Sequence, residues 1–338
     1  MPSRVSLKVF ATCPPSYAGD PRSYREEVAE VARWSERAGC EGTLIYTDNA
    51  VADPWLVAQT IITATSRLCP LVAVQPVYLH PFAVAKMVAT LAFLHRRRVY
   101  LNMVAGGYKG DLNALNDPTP HDERYHRLVE YTQVVMLLLR SSGPASYTGR
   151  YYRLSNVKLG PPLPAELMPG VFVSGSSEAG MAAARSLGAT AVQYPRPVAE
   201  YHTAPSLGIE ESGVRVGIIA RANSSAAWSL ARERFPQDRQ GQLTHQLAMK
   251  LSDSAWHRQL ADTKSSDGSD ENPYWLVPFE NYKTNCPYLV GSYDRVAAEI
   301  ARYVAVGYRT FILDVPESPA ELRHIGSVFR AATEMAPR

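Results

Sequence analysis

The stretch Ser6-Leu7-Lys8-Val9-Phe10-Ala11-Thr12, closed by Cys13-Pro14-Pro15, decides the fold class. Val9 and Phe10 are strand formers, and the prolines end the strand because neither can donate a ladder hydrogen bond. A dinucleotide-binding doubly wound sheet would place a Gly-x-Gly-x-x-Gly turn directly after this first strand. Cys-Pro-Pro stands there instead. The open sheet therefore lacks its diagnostic turn.

Working outward, seven more short apolar runs read as strands: 42–47, 71–75, 99–104, 170–173, 190–194, 214–220 and 310–315. Their near-continuous hydrophobicity suits strands buried on both faces. Helical patterns separate them. One begins at Ser23-Tyr24-Arg25-Glu26, a capping-box pattern, and runs to Gly39. Another begins at Asp53-Pro54, with Asp as cap and Pro in the first turn. Others cover 81–95, 121–139, 176–187, 225–235, 293–306 and 318–335, with a short helical return at 199–207. Residues 147–159 read as a hairpin turning at Gly149. Eight strands alternating with helices specify an α/β fold, a TIM-type (β/α)8 barrel with insertions, spanning 1–338 as one domain. The polar segment 236–292, centred on Ser265-Ser266-Asp267-Gly268-Ser269-Asp270, breaks the rhythm and is expected to be an insertion or lid.

The 338 residues carry a formal net charge of +3, too mild to imply nucleic acid. The basic run Arg96-Arg97-Arg98 reads as a solvated turn. Cys13, Cys40, Cys69 and Cys286 form no Cys-x-x-Cys pair and have no histidine at zinc spacing, so free thiols and no metal site are expected. No secretory leader or membrane-spanning run is read, and the expected compartment is the cytoplasm.

In a barrel of this kind chemistry sits at the strand C-terminal ends. That rule selects Cys13; Thr47, Asp48 and Asn49; Gln75, Tyr78 and His80; Asn102, Gly106 and Gly107; Ser174 to Ser177; Tyr194; Arg221; and Asp314. Three segments among or beside these stand out. Ser174-Gly175-Ser176-Ser177 joins a strand to a helix N-terminus, which suits an anion, although plain serine capping explains it equally. His121-Asp122-Glu123-Arg124-Tyr125 opens a helix after a long loop and fits either a phosphate contact or a solvated first turn. Asn102, alone in the apolar run Leu101 to Ala105, needs a hydrogen-bond partner from a ligand or a neighbouring strand.

These segments in this order resemble the bacterial luciferase-like flavin monooxygenases, nearest the alkanesulfonate monooxygenase branch. Asp53-Pro54-Trp55-Leu56-Val57-Ala58, Pro81 to Leu91 and Thr132-Gln133 add to the likeness. The resemblance implies reduced FMN as cofactor, O2 as co-substrate, a separate flavin reductase as FMNH2 donor, and a small-molecule substrate. Position by position it implies flavin-ring contacts at Asn102 and Gly106. It implies phosphate or ribityl contacts at Arg124, Tyr125, Ser174, Gly175, Ser176 and Ser177. It also implies a homodimer. His80 and His121 are expected as proton donors or acceptors and Arg221 as an anion receptor. Desulfonating relatives carry a Cys after the second strand and an Arg and a His on the seventh; Val51, Ile219 and Arg221 stand at the matched places here, and Pro316 replaces a Tyr near the eighth. Alkanesulfonate cleavage is therefore not expected. The rival readings are a deazaflavin-dependent hydride-transfer enzyme and a non-catalytic flavin-binding protein, both present in the same superfamily.

Overall fold

The structure is a computed structural model, described over residues 6–17, 20–106, 109–201, 212–251, 269 and 271–336. The strands are β1 (Lys8–Thr12), β2 (Gly42–Ile45), β3 (Cys69–Val74), β4 (Tyr100–Val104), β5 (Ala145–Thr148), β6 (Arg153–Val157), β7 (Val171–Ser174), β8 (Thr190–Gln193), β9 (Ser212–Arg215), β10 (Gly217–Arg221), β11 (Tyr274–Trp275), β12 (Tyr288–Ser292) and β13 (Tyr308–Ile312). The helices are α1 (Tyr24–Arg37), α2 (Pro54–Ala64), α3 (Pro81–His95), α4 (Lys109–Ala114), α5 (His121–Arg140), α6 (Glu178–Leu187), α7 (Ser224–Arg234), α8 (Arg239–Leu251), α9 (Val277–Glu280), α10 (Tyr293–Ala305) and α11 (Pro319–Met335).

Eight strands close in the order β1-β13-β9-β8-β7-β4-β3-β2, every pairing parallel. This is the (β/α)8 barrel expected, and each of its strands falls within or beside one of the eight runs. The lumen is filled by Phe10, Leu44, Leu71, Tyr100, Phe172, Val192 and Ile312. The ladder register carries the same inward face upward to Thr12, Tyr46, Asn102, Ser174, Tyr194, Arg215 and Asp314. Side chains alternate between faces, so Cys13 points outward. It packs beneath α1 beside Tyr24 rather than lining the mouth, and burial pushes its thiol up to about 12.

The apolar run expected as one strand over 214–220 is two. Backbone 212–215 belongs to the barrel, whereas β10 pairs in parallel with β12, which in turn pairs antiparallel with β11. The segment expected to be irregular thus supplies two strands of a side sheet. Trp275, Phe279, Cys286 and Tyr288 of that segment are buried. The centre of the expected lid, Ser269 apart, lies outside the described residues.

Smaller expectations also resolve. Asp53 caps α2 through hydrogen bonds from Trp55 N and Leu56 N. Ser23 makes no capping bond; its hydroxyl donates to the Asp20 carbonyl, and Glu26 pairs with Arg33 instead. Arg97 is buried, not solvated, and ties the Thr65 and Leu68 carbonyls together. The polar stretch before α5 contains the short helix α4. Of the expected helical return at 199–207, only a single 3-10 turn at Val198–Glu200 is described.

Candidate active site

One wedge of the barrel mouth gathers most of the residues expected to hold a cofactor. β4 and β7 are neighbours, and Ser174 Oγ donates to Asn102 Oδ1 at 2.8 Å. That pairing satisfies the buried amide oxygen from an adjacent strand, so Asn102, 5% exposed, is held in place before any ligand arrives. Gly106 follows β4 with φ +97°, where a side chain is strained, and a β-carbon there would meet Gln75 Nε2 at 3.2 Å. Gly107 lies outside the described residues.

The second part of the wedge is the N-terminus of α6. Ser177 caps it by accepting from Gly180 N at 3.1 Å. Tyr125, in the first turn of α5, reaches across to this turn. Burial pushes its phenol pKa up, against the Ser177 hydrogen bond and the Arg124 charge, which pull it down. The phenol therefore stays protonated and can donate. A β-carbon on Gly175 would stand 2.3 Å from the Tyr125 hydroxyl, so glycine is required for Tyr125 to occupy this place. The Ser176 hydroxyl is buried and finds no hydrogen-bond partner among the described residues. An unmatched buried hydroxyl at a helix N-terminus, next to a protonated phenol, fits a phosphate group.

The remaining expected residues are placed as follows. The Gly175 N–H is engaged with the Val192 carbonyl, so this backbone donor serves the sheet and not a phosphate. Arg124 is buried and Nη1 donates to the Thr119 carbonyl, fixing the loop before α5. His121 pairs through Nδ1 with Asp122 at 2.6 Å and packs edge-on against Tyr125, 5.2 Å between ring centres. It thus stands beside Tyr125, at the α6 end of the wedge. His80 caps α3, its Nδ1 accepting from Phe82 N at 3.2 Å, which leaves the ring proton on Nε2. Its ring lies against Tyr152 of the β5–β6 turn, 6.0 Å away.

Arg221 is displaced from the mouth. Because the chain leaves the barrel after Arg215, Arg221 ends β10 in the side sheet and pairs with Glu321 at the start of α11. Arg234 holds the other Glu321 oxygen at 3.3 Å. The arginine at the end of the seventh barrel strand is Arg215, with Tyr46, Tyr194 and Asp314 around it. Sequence reading passed over Arg215 because a single strand over 214–220 puts it near the beginning of the run. A lone charge inside an apolar strand needs partners, the same signal that marks Asn102. Among the described residues no group of three metal-ligating side chains occurs, and no helix is long and apolar enough to cross a membrane.

Residues 6–310 match the sequence profile of the luciferase-like monooxygenases. This chain belongs to that family. It is 34% identical over 313 residues to the 4-(γ-L-glutamylamino)butanoyl-[BtrI acyl-carrier protein] monooxygenase BtrO of Niallia circulans, covering 91% of each chain. Solved structures with the same fold include the long-chain alkane monooxygenase LadA, at 15% identity and TM-score 0.75, covering 98% of this chain and 92% of that one. Another is the oxygenating constituent of 3,6-diketocamphane monooxygenase of Pseudomonas putida in complex with FMN, at 15% identity and TM-score 0.69, covering 98% and 99%. An F420-dependent secondary alcohol dehydrogenase is also similar, at 16% identity and TM-score 0.65, covering 97% and 99%. The chain is thus a luciferase-like monooxygenase, and the resemblance read from its segments holds.

Proposed function

We propose that this luciferase-like monooxygenase uses reduced FMN, delivered by a separate flavin reductase, to place one atom of O2 on a small organic substrate. The observation that carries the cofactor is the Ser176 hydroxyl, buried and without a partner among the described residues, in the turn that Tyr125 packs against at the α6 N-terminus. Tyr125 and Ser176 would hold the phosphate, with the α6 dipole favouring its charge. Asn102 and Gly106 would face the ring from the β4 side. When bound, the reduced flavin supplies the two electrons that activate oxygen. This chain's part is to bind, orient and exclude water around the reacting centre.

The relative from Niallia circulans is named for an acyl group carried on a carrier protein. Acyl thioesters on a carrier protein are therefore the first substrate class to assay. A homodimer through α2 and α3 fits the outer faces of those helices. α2 contains no charged residue, and Leu56, Phe93 and Leu94 are 68%, 64% and 60% exposed. Large apolar side chains exposed together on a surface mark a face that a partner covers.

The test is an anaerobic titration with reduced FMN and, in parallel, reduced F420, followed by oxygen uptake coupled to product. Saturable FMN binding and substrate-dependent oxygen uptake are expected. Failure to bind FMN sinks the reading, binding of F420 alone replaces it with hydride transfer, and FMN binding without product in any assay leaves a flavin-binding protein.

A further inference from the structure

The side of the mouth away from the β4–β7 wedge holds a buried cation whose charge is already cancelled. Arg215 is 5% exposed. Its guanidinium lies 4.8 Å from the Tyr46 ring centre, Nη2 hydrogen-bonds the Tyr46 hydroxyl, and Nη1 donates to the Tyr194 hydroxyl at 3.4 Å. Asp314 Oδ1 stands 3.7 Å from Nη2. The other Asp314 oxygen accepts from the Tyr288 hydroxyl at 2.8 Å. Tyr288 comes from β12, so the side sheet reaches Asp314 through this phenol, with the Cys286 thiol beside it. Gly217 makes room for it, since a β-carbon there would stand 2.3 Å from the ring.

The formal charges of Arg215 and Asp314 sum to zero. One donor is left over, because the buried Arg215 Nε–H finds no partner among the described residues. A buried donor without an acceptor is costly, so this is where a ligand oxygen gains most. The surroundings offer donors more than acceptors: both Asp314 oxygens are engaged, and the Tyr46 and Tyr194 oxygens already accept from the guanidinium. An acceptor-only oxygen fits, whereas a second anion would face Asp314 at short range in a poorly solvated place.

We propose that Arg215 Nε–H receives the carbonyl oxygen of the substrate, and that Asp314, steadied by Tyr288, tunes this subsite to neutral carbonyl compounds and against sulfonates and carboxylates. The inference rests on the monooxygenase reading, because it places the substrate in the mouth shared with the flavin. Arg215 and Asp314 are then specificity-determining, while the cofactor is held elsewhere.

The experiment is calorimetric titration of the FMN-loaded protein with straight-chain amides from butanamide to decanamide and with alkanesulfonates of matching length. The unmodified protein is expected to bind amides about tenfold more tightly than the matching sulfonates. Asp314→Asn should raise sulfonate affinity about tenfold. Tyr288→Phe should move the ratio in the same direction, and Arg215→Gln should abolish the amide preference. FMN affinity should stay the same in all three, which also shows that they fold. Equal binding of both series, an unchanged ratio in both Asp314→Asn and Tyr288→Phe, or no amide binding at any length overturns the proposal. If FMN itself fails to bind, the cofactor reading falls, while the amide-to-sulfonate ratio on the cofactor-free chain still decides this one.

Discussion

The Tyr125 hydroxyl occupies the space that a side chain on Gly175 would need, 2.3 Å from where its β-carbon would stand. The contact locks α5 to the turn that opens α6. Gly175→Ala should therefore destabilise the protein by about 1–3 kcal/mol through overpacking. Adding Tyr125→Phe removes the clashing oxygen and should recover about 1 kcal/mol of that loss. Denaturant unfolding of the two single variants and the double variant measures the coupling; simple additivity would show that the two residues do not press on each other.

The same turn carries the proposed phosphate site. Ser176→Asp puts a negative charge where the phosphate is expected and should weaken FMN binding at least about tenfold, and Tyr125→Phe should weaken it by a similar factor. Fluorescence titration with FMN reads both. Affinity unchanged by Ser176→Asp would remove the phosphate from this turn.

Arg221 is expected to matter for stability and not for binding. Its carboxylate partner, Glu321, is 5% exposed and shared with Arg234. Breaking such a pair from one side leaves a poorly compensated buried charge, so Arg221→Ala should cost about 2–4 kcal/mol while leaving FMN affinity intact. A large loss of FMN affinity at unchanged stability would return Arg221 to the active site.

Leu56, Phe93 and Leu94 stand on the outer faces of α2 and α3. Leu56→Asp combined with Phe93→Asp should convert a dimer to a monomer in sedimentation velocity without unfolding the barrel. A monomer in the unmodified protein would show that these helices face solvent.

Acid should release the loop before α5. Burial raises the Asp117 pKa, but hydrogen bonds from Arg127 and Thr119 outweigh it and hold the carboxyl below its ordinary 3.8. Arg127 Nη2 lies 2.6 Å from Asp117 Oδ2. A folded pKa lower than the unfolded one gives stability that is full above the unfolded value and is lost as pH falls through the folded one. Asp117→Asn should thus be less stable than the unmodified protein at pH about 7. The difference should shrink as pH falls below 3.8, measured by urea unfolding across the acid range. A difference that does not depend on pH would mean that the carboxylate's charge is not the cause.

The barrel was legible because each of its strands is a short apolar run between helices, and two-sided burial leaves that mark in sequence. The division of 212–221 was not legible. Both halves are apolar, and what separates them is pairing with β12, whose partner strand and helix lie in a segment that reads as polar. The capping box at Ser23 failed for a local reason: the Asp20 carbonyl takes the Ser23 hydroxyl before it can turn to the helix. At the candidate site, sequence singled out Asn102, Tyr125 and Ser176 because polar residues at strand ends and helix starts are conspicuous. It placed the mouth arginine at 221 and so missed Arg215, because the end of a strand is set by its neighbours and not by its own composition.

The excursion of the chain from Arg215 through β10 and back at β12 divides labour within the molecule. One arc of the barrel carries the proposed phosphate site, while the appended sheet contributes Tyr288 to the opposite arc. Grafting a different 217–292 loop set onto the same barrel would then redirect which molecules are oxidised without rebuilding the cofactor grip, a route to new catalysts by exchange of a single cassette.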